Sequence, residues 1–258
     1  MLTSAAFGDR PGAHPLPPAK TPFEQWLRAV ALAGRGKYAD ATGEVAPLRE
    51  SRYSAALRST ALSLEASILR QQGCHERALQ FDTRALAFLS ERAPRQKEDP
   101  EFVLARCDAL TGVAADNIGL GSLADTRRAL DQAETLLDEA ESAPFGWRAR
   151  LRWRWVSAEA AMAEGSPDDA LRAAAAGQKL ADSCPSRRHA CKSRLILAAA
   201  HACAASTATA RTLAEDVFAK TEDAGLLPLA WAAAMLLHAT SPDEGWDGKA
   251  TALRGQWA

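Results

Sequence analysis

The sequence predicts an all-α protein built as an array of helical hairpins, on three observations. Apolar residues recur at steps of three and four in one segment after another, the period of a one-sided helical stripe. Alanine dominates the apolar fraction and the Val/Ile/Thr alternation of strands is nearly absent, so no sheet is expected. One turn spacing, a glycine followed five residues later by a small residue, returns between the helical patterns.

Residues 62–89 show the unit most clearly. Leu62, Ala66 and Leu69 form one stripe, and Ala78, Phe81, Ala85, Leu86 and Leu89 form a second after Gln72-Gly73. Gly73 supplies the permissive turn, and the small Ala66 and Ala78 let the two backbones approach. Such a hairpin cannot bury both its faces alone, so it needs neighbours.

The neighbours are present. Gly36 to Ala41, Gly73 to Ala78, Gly121 to Thr126 and Gly165 to Ala170 share the spacing, and Ala205 to Ala210 is a weaker fifth case. With Tyr38 after Gly36 and His75 in the same place after Gly73, these units resemble the tetratricopeptide repeat, whose hairpins carry a turn glycine, a tyrosine and a small residue. Leu123, Pro167 and Thr126 depart from that pattern, and the small positions 41, 78, 126, 170 and 210 are 37, 48, 44 and 40 residues apart. The family period is about 34. The resemblance covers roughly residues 22–240 and implies a right-handed α-α superhelix, a solenoid of about five hairpins with a C-terminal capping helix.

In chain order, residues 1–20 hold Pro11, Pro15, Pro17 and Pro18 and read as a flexible leader, with residues 21–258 as a single solenoid domain. Thr21-Pro22-Phe23-Glu24 is a capping box that starts a helix ending near Gly34. A second helix runs from Tyr38 to Leu48, bent at Pro47. After the 62–89 hairpin, residues 92–99 form a polar connector, and Asp99-Pro100-Glu101 caps a helix reaching Ile118. Ser122 caps its partner, with a seam of Leu123, Leu130, Ala133, Leu136 and Leu137. Pro144-Phe145-Gly146 separates this from a helix over 147–164, and Ser166-Pro167-Asp168-Asp169 starts the next, its acids at the positive helix end. Helices follow over 187–204, 208–222 and 227–240. Trp246, Ala250, Leu253 and Trp257 form a last stripe able to cover the open end, in cis as a capped monomer, with docking on another copy as the alternative.

Composition narrows function. With 31 basic and 32 acidic residues the net charge is -1, which gives no global pull toward nucleic acid or an anionic membrane. No apolar run approaches the roughly 18 residues of a membrane span. No basic-then-apolar secretory pattern opens the chain, and five cysteines form no disulfide framework, which fits a reducing cytoplasm.

Residues 147–155 hold four arginines and three tryptophans. Helical projection puts Trp147, Leu151, Trp155 and Ala158 on one apolar face, with Arg148 and Arg152 stacked beside it and Arg150 and Arg154 on the other flank. One reading is a core helix with arginines reaching past it to water. The other follows from the resemblance: first helices of tetratricopeptide-like hairpins line a concave, peptide-binding groove, which nominates Arg70, Arg148, Arg152, Trp155, Glu159 and, in the weaker fifth register, Lys192. Arginine suits carboxylates and tryptophan provides anchor area, so a protein or peptide segment of acidic character is the expected partner. The resemblance also covers peptide-responsive regulators, and this chain would then act on a separate effector. Cys184, His189, Cys191, His201 and Cys203 are potential metal ligands, but the pairs twelve apart would sit about 18 Å apart on one helix, so no metal is expected. No phosphate loop, nucleophile elbow or nucleic-acid motif is present, and neither enzymatic activity nor a cofactor is expected.

Overall fold

The computed structural model describes residues 1–90 and 99–256; residues 92–98 of the expected connector, and Trp257 of the C-terminal stripe, lie outside the described residues. Among the described residues there are helices and no strands. In order they are α1 (Leu2–Phe7), α2 (Pro22–Gly34), α3 (Tyr38–Val45), α4 (Ala55–Gln71), α5 (His75–Ser90), α6 (Pro100–Gly119), α7 (Leu123–Glu134), α8 (Leu137–Ala140), α9 (Trp147–Ala163), α10 (Pro167–Asp182), α11 (Arg187–Cys203), α12 (Thr207–Asp223), α13 (Leu227–Thr240) and α14 (Trp246–Arg254). Short 3-10 turns at Ala46–Arg49 and Pro242–Glu244 follow α3 and precede α14.

The repeated turn has one geometry. Gly36, Gly73, Gly121 and Gly165 all adopt left-handed φ between 72° and 80°, where a β-carbon would clash with its own backbone. The next amide reaches back five residues, from Lys37 to the Leu32 carbonyl, Cys74 to Leu69 and Ser122 to Asn117, at 2.9 to 3.0 Å. Ala205 takes the same conformation at φ 58° without being glycine, and Ser206 bonds the His201 carbonyl at 2.9 Å. The fifth register is therefore a true copy of the turn. A sixth copy, unrecognised in the sequence, is Gly225, with Leu226 bonding Thr221 at 2.8 Å. The small residue five positions on donates the first helical bond of the next helix and is fully buried in each case: Ala41, Ala78, Thr126, Ala170, Ala210 and Ala230.

Several boundaries match local chemistry. Thr21 Oγ1 accepts from the Glu24 amide at 3.1 Å, while the Glu24 carboxylate reaches the Lys20 amide at 2.7 Å, one residue beyond the expected reciprocal bond. Asp99 accepts from the Glu101 amide at 3.1 Å. Pro47 converts the end of the Tyr38 helix to a 3-10 turn, since proline withholds an amide donor. The seam expected to run through Leu136 and Leu137 breaks into α7 and α8 at Thr135.

The chain divides into two compact units, residues 1–41 with 165–258, and residues 42–164. A reading of residues 21–258 as one uninterrupted array does not foresee this grouping. In the first unit the expected flexible leader is an ordered, packed segment. Leu2, Ala5, Ala6 and Phe7 of α1 are buried, and the Phe7 ring lies 5.6 Å from Trp26 and 5.9 Å from His189. The prolines do prevent a regular helix, but Arg28 satisfies the carbonyls of Leu16 and Pro17 at 2.9 and 2.7 Å, and the Arg187 amide bonds the Gly8 carbonyl at 3.1 Å. At the other end Trp246, Ala250 and Leu253 are buried against Phe218, Ala230, Ala233, Ala234 and Leu237, with Trp246 edge-on to Phe218 at 5.1 Å. The terminal helix thus covers α13 of its own chain.

In the second unit α4 and α5 pair as a hairpin, and α6 is the central helix, packed by α4, α5, α7, α8 and α9. Thirteen residues of α6 are buried, including Asp108, Thr111, Asp116 and Asn117. A helix enclosed in this way is normally apolar all round. Its acids therefore require partners, and these define the site.

Candidate functional site

Four helices of the 42–164 unit contribute the charges. α6 presents Asp108, Gly112 and Asp116 at steps of four, hence on one face. Arg148 and Arg152, also four apart, come from α9; Arg70 comes from the last turn of α4, and Asp82 from α5.

Arg70 is the junction. Its Nε donates to Asp116 Oδ1 at 2.7 Å, and one terminal nitrogen donates to Asp82 Oδ2 at 2.6 Å, Asp116 Oδ2 at 3.2 Å and the Gly112 carbonyl at 3.2 Å. The missing side chain at Gly112 makes this possible, because a β-carbon there would lie 2.1 Å from Asp82 Oδ2. A second group surrounds Asp108, which accepts from Arg148 at 3.0 Å through Oδ2 and from Arg152 through Oδ1. The two groups share α6 and act on each other through space, Arg152 pulling the Asp82 carboxyl down and Glu159 favouring the charged Arg70.

Burial sets the electrostatics. The side chains of Asp82, Asp108 and Asp116 are 1%, 4% and 0% exposed, while those of Arg70 and Arg152 keep 17% and 20%. Burial pushes the Asp82 carboxyl up to about 7, against the pull of Arg70, and the neighbouring Asp116 carboxylate pushes the same way. Asp116 is likewise raised by burial, against its bonds to Arg70. At Asp108 burial also acts upward, but Arg148 and Arg152 together outweigh it and hold the carboxyl below its usual range. Nearby, burial pushes the Cys107 thiol up to about 12, which leaves it uncharged at neutral pH.

The sequence-nominated residues are thus partly brought together. Arg70, Arg148, Arg152, Trp155 and Glu159 all belong to this unit, whereas Lys192 lies on α11 of the other. Arg148 is not a groove contact: only 7% exposed, it faces inward to Asp108 instead of extending to water. Arg70 and Arg152 are half-buried and already hold internal carboxylates. Trp155 and Glu159 are half-buried on α9, and Leu151 and Ala158 fill the core face as projected. Sequence reasoning missed Asp82, Asp108, Gly112 and Asp116. The signal available was polar residues at core spacing, Asp82 between Ala78 and Ala85 and three α6 positions four apart.

Elsewhere, His189 shares a hydrogen bond of 2.7 Å with Ser186 Oγ, and among the described residues no cluster of three His, Cys, Asp or Glu could hold a metal ion. No described helix is long and apolar enough to cross a membrane.

A scan against protein-family models finds no match to the chain, and a search of curated proteins finds none either. Among solved structures the chain is similar to a Rap protein complexed with competence and sporulation factor, with a TM-score of 0.64 and 12% sequence identity over 93% of this chain. The chain spans 66% of the length of that protein. The fold is a tetratricopeptide-like helical repeat, as the turn spacing implied.

Proposed function

We propose that the chain is a non-enzymatic interaction module that takes a peptide or protein segment against the first helices of the 42–164 unit, at the half-buried edge formed by Arg70, Arg152, Trp155 and Glu159. The observation that carries this reading is the support beneath that edge. Arg70 and Arg152 are each fixed by carboxylates that are almost fully buried, so their remaining exposed atoms are held in place before any partner arrives. Preorganised charged groups lose less conformational entropy on binding than free arginines would. A Rap protein of the same fold was solved in complex with competence and sporulation factor, which supports the use of this architecture to hold a partner.

Because internal acids neutralise the arginines, the fitting partner segment is one that combines an apolar anchor for Trp155 with polar or mixed charge, in place of a strongly acidic one. A regulatory version of the same function, in which the segment alters how the chain engages a separate effector, draws on the ion pairs that tie α4 and α5 to α6 and α9 to α6: a partner that displaces Arg70 or Arg152 acts on the packing of α6.

Selection from a random peptide library on the intact chain tests the proposal. The selected peptides should bind saturably, and Trp155→Ala, verified as folded, should weaken them at least about tenfold, as loss of an aromatic anchor does. Failure to select any saturable binder, or equal binding by the folded variant, would contradict it.

A further inference from the structure

We propose that Arg70, Asp82 and Asp116 form a proton-holding clasp between the α4–α5 hairpin and α6, and that loss of its proton loosens this joint. The inference is independent of any partner. One guanidinium serves two buried carboxylates, at 2.6 and 2.7 Å, while the nearby Arg148 and Arg152 are bound to Asp108. Two buried like charges sharing one cation leave an excess negative charge, which the interior accommodates by keeping a proton.

The hydrogen bonding points to where the proton sits. Asp82 Oδ2 accepts from Arg70, but Oδ1 is buried and has no partner. The hydroxyl of Ser63 on α4 is likewise buried outside hydrogen-bond geometry, and its pull on the Asp82 carboxyl is downward, overcome by burial. A proton on Oδ1 makes Asp82 a donor, and the Asp116 carboxylate, bound to the same Arg70 nitrogen, is the anion that gains from it. The charged groups facing the clasp are Arg70 from α4, Asp116 from α6, Arg152 and, through Arg70, Glu159 from α9, and His75 from α5, which faces Asp116. Arg152 pulls the Asp82 carboxyl down and His75 the Asp116 carboxyl, but Arg152 is engaged by Asp108 and burial outweighs both.

The direction of the pH effect follows. The Asp82 carboxyl titrates near 7 in the folded chain and near about 3.9 when unfolded, so between these values the folded state holds the extra proton. This contribution to stability is complete below the unfolded value and declines as pH rises, levelling off above the folded value. Asp108, held low, behaves oppositely, and its contribution is lost only in acid.

Denaturation midpoints of the intact chain and of Asp82→Asn, measured from about pH 5 to about pH 9, provide the test. Relative to the variant, the wild type should lose stability as pH rises and then run parallel to it. Its α5 and α6 amides, corrected for intrinsic rates, should exchange faster at the alkaline end, whereas those of the variant should not. Should Asp82→Asn fail to fold, Asp116→Asn leaves one carboxylate for one guanidinium and should abolish the same dependence. A carbon-13 titration of the aspartate carboxyls reads the proton directly, with one resonance titrating near neutrality in the wild type. Parallel stability profiles for the wild type and the folded variant, or aspartates ionised throughout this range, would overturn the proposal.

Discussion

The carboxylate of Asp82 occupies the space in which a side chain on residue 112 would stand: a β-carbon on Gly112 would meet Oδ2 at 2.1 Å. Gly112 is thus a helical glycine required by packing, although glycine within a helix costs about 1 kcal/mol relative to alanine. Gly112→Ala should consequently destabilise the chain, by about 1–3 kcal/mol, because the overlap outweighs the gain in helix propensity. In an Asp82→Ala background the same change should cost much less. Urea denaturation of the four proteins in this double-mutant cycle checks the coupling.

Arg70→Met strands Asp82 and Asp116 without their cation. Breaking a buried ion pair from one side costs about 3–5 kcal/mol, and a loss of that order is expected at neutral pH in denaturant unfolding. Acid should narrow the difference, since Asp82 and Asp116 are both raised by burial and are readily neutralised.

The turn at Ala205 permits a change in the stabilising direction. Its φ of 58° is one that glycine adopts freely and alanine only at a cost of about 1–2 kcal/mol. Ala205→Gly should raise stability by up to about 1 kcal/mol after the extra freedom of the unfolded chain is counted. Gly73→Ala, at φ 80° with nothing near its β-carbon position, should lower it through backbone strain alone. Thermal unfolding of both variants decides the sign.

Phe7 is 2% exposed and its ring lies tilted against both Trp26 and His189. Phe7→Ala should cost about 3–5 kcal/mol, as for other buried phenylalanines. A mobile leader would show no loss, so calorimetry of this one variant separates the two descriptions of the N-terminus.

Helices were legible because their signals are local. Stripe period, the Thr21 and Asp99 caps and the glycine turns all act within a few residues, and each is found where expected. The packed N-terminus was not legible, because Phe7 is held by residues distant in the chain, Trp26 and His189, the second 182 positions away. The candidate site was half legible. The arginines of α9 stood out by composition, but the inward pairing of Arg148 and Arg152 depends on Asp108 of α6, 40 and 44 residues distant in the chain. A projection of α9 alone shows which residues share a face without showing that Arg148 has a buried aspartate to meet.

A partner is proposed to bind the α4 and α9 edge of the 42–164 unit. Hydrogen–deuterium exchange of the intact chain with and without a library-selected peptide tests it most directly. Protection should centre on residues 152–159 and the neighbourhood of Arg70, with the Trp155→Ala protein showing none. Protection confined to residues 165–256, with residues 152–159 unchanged, would contradict it.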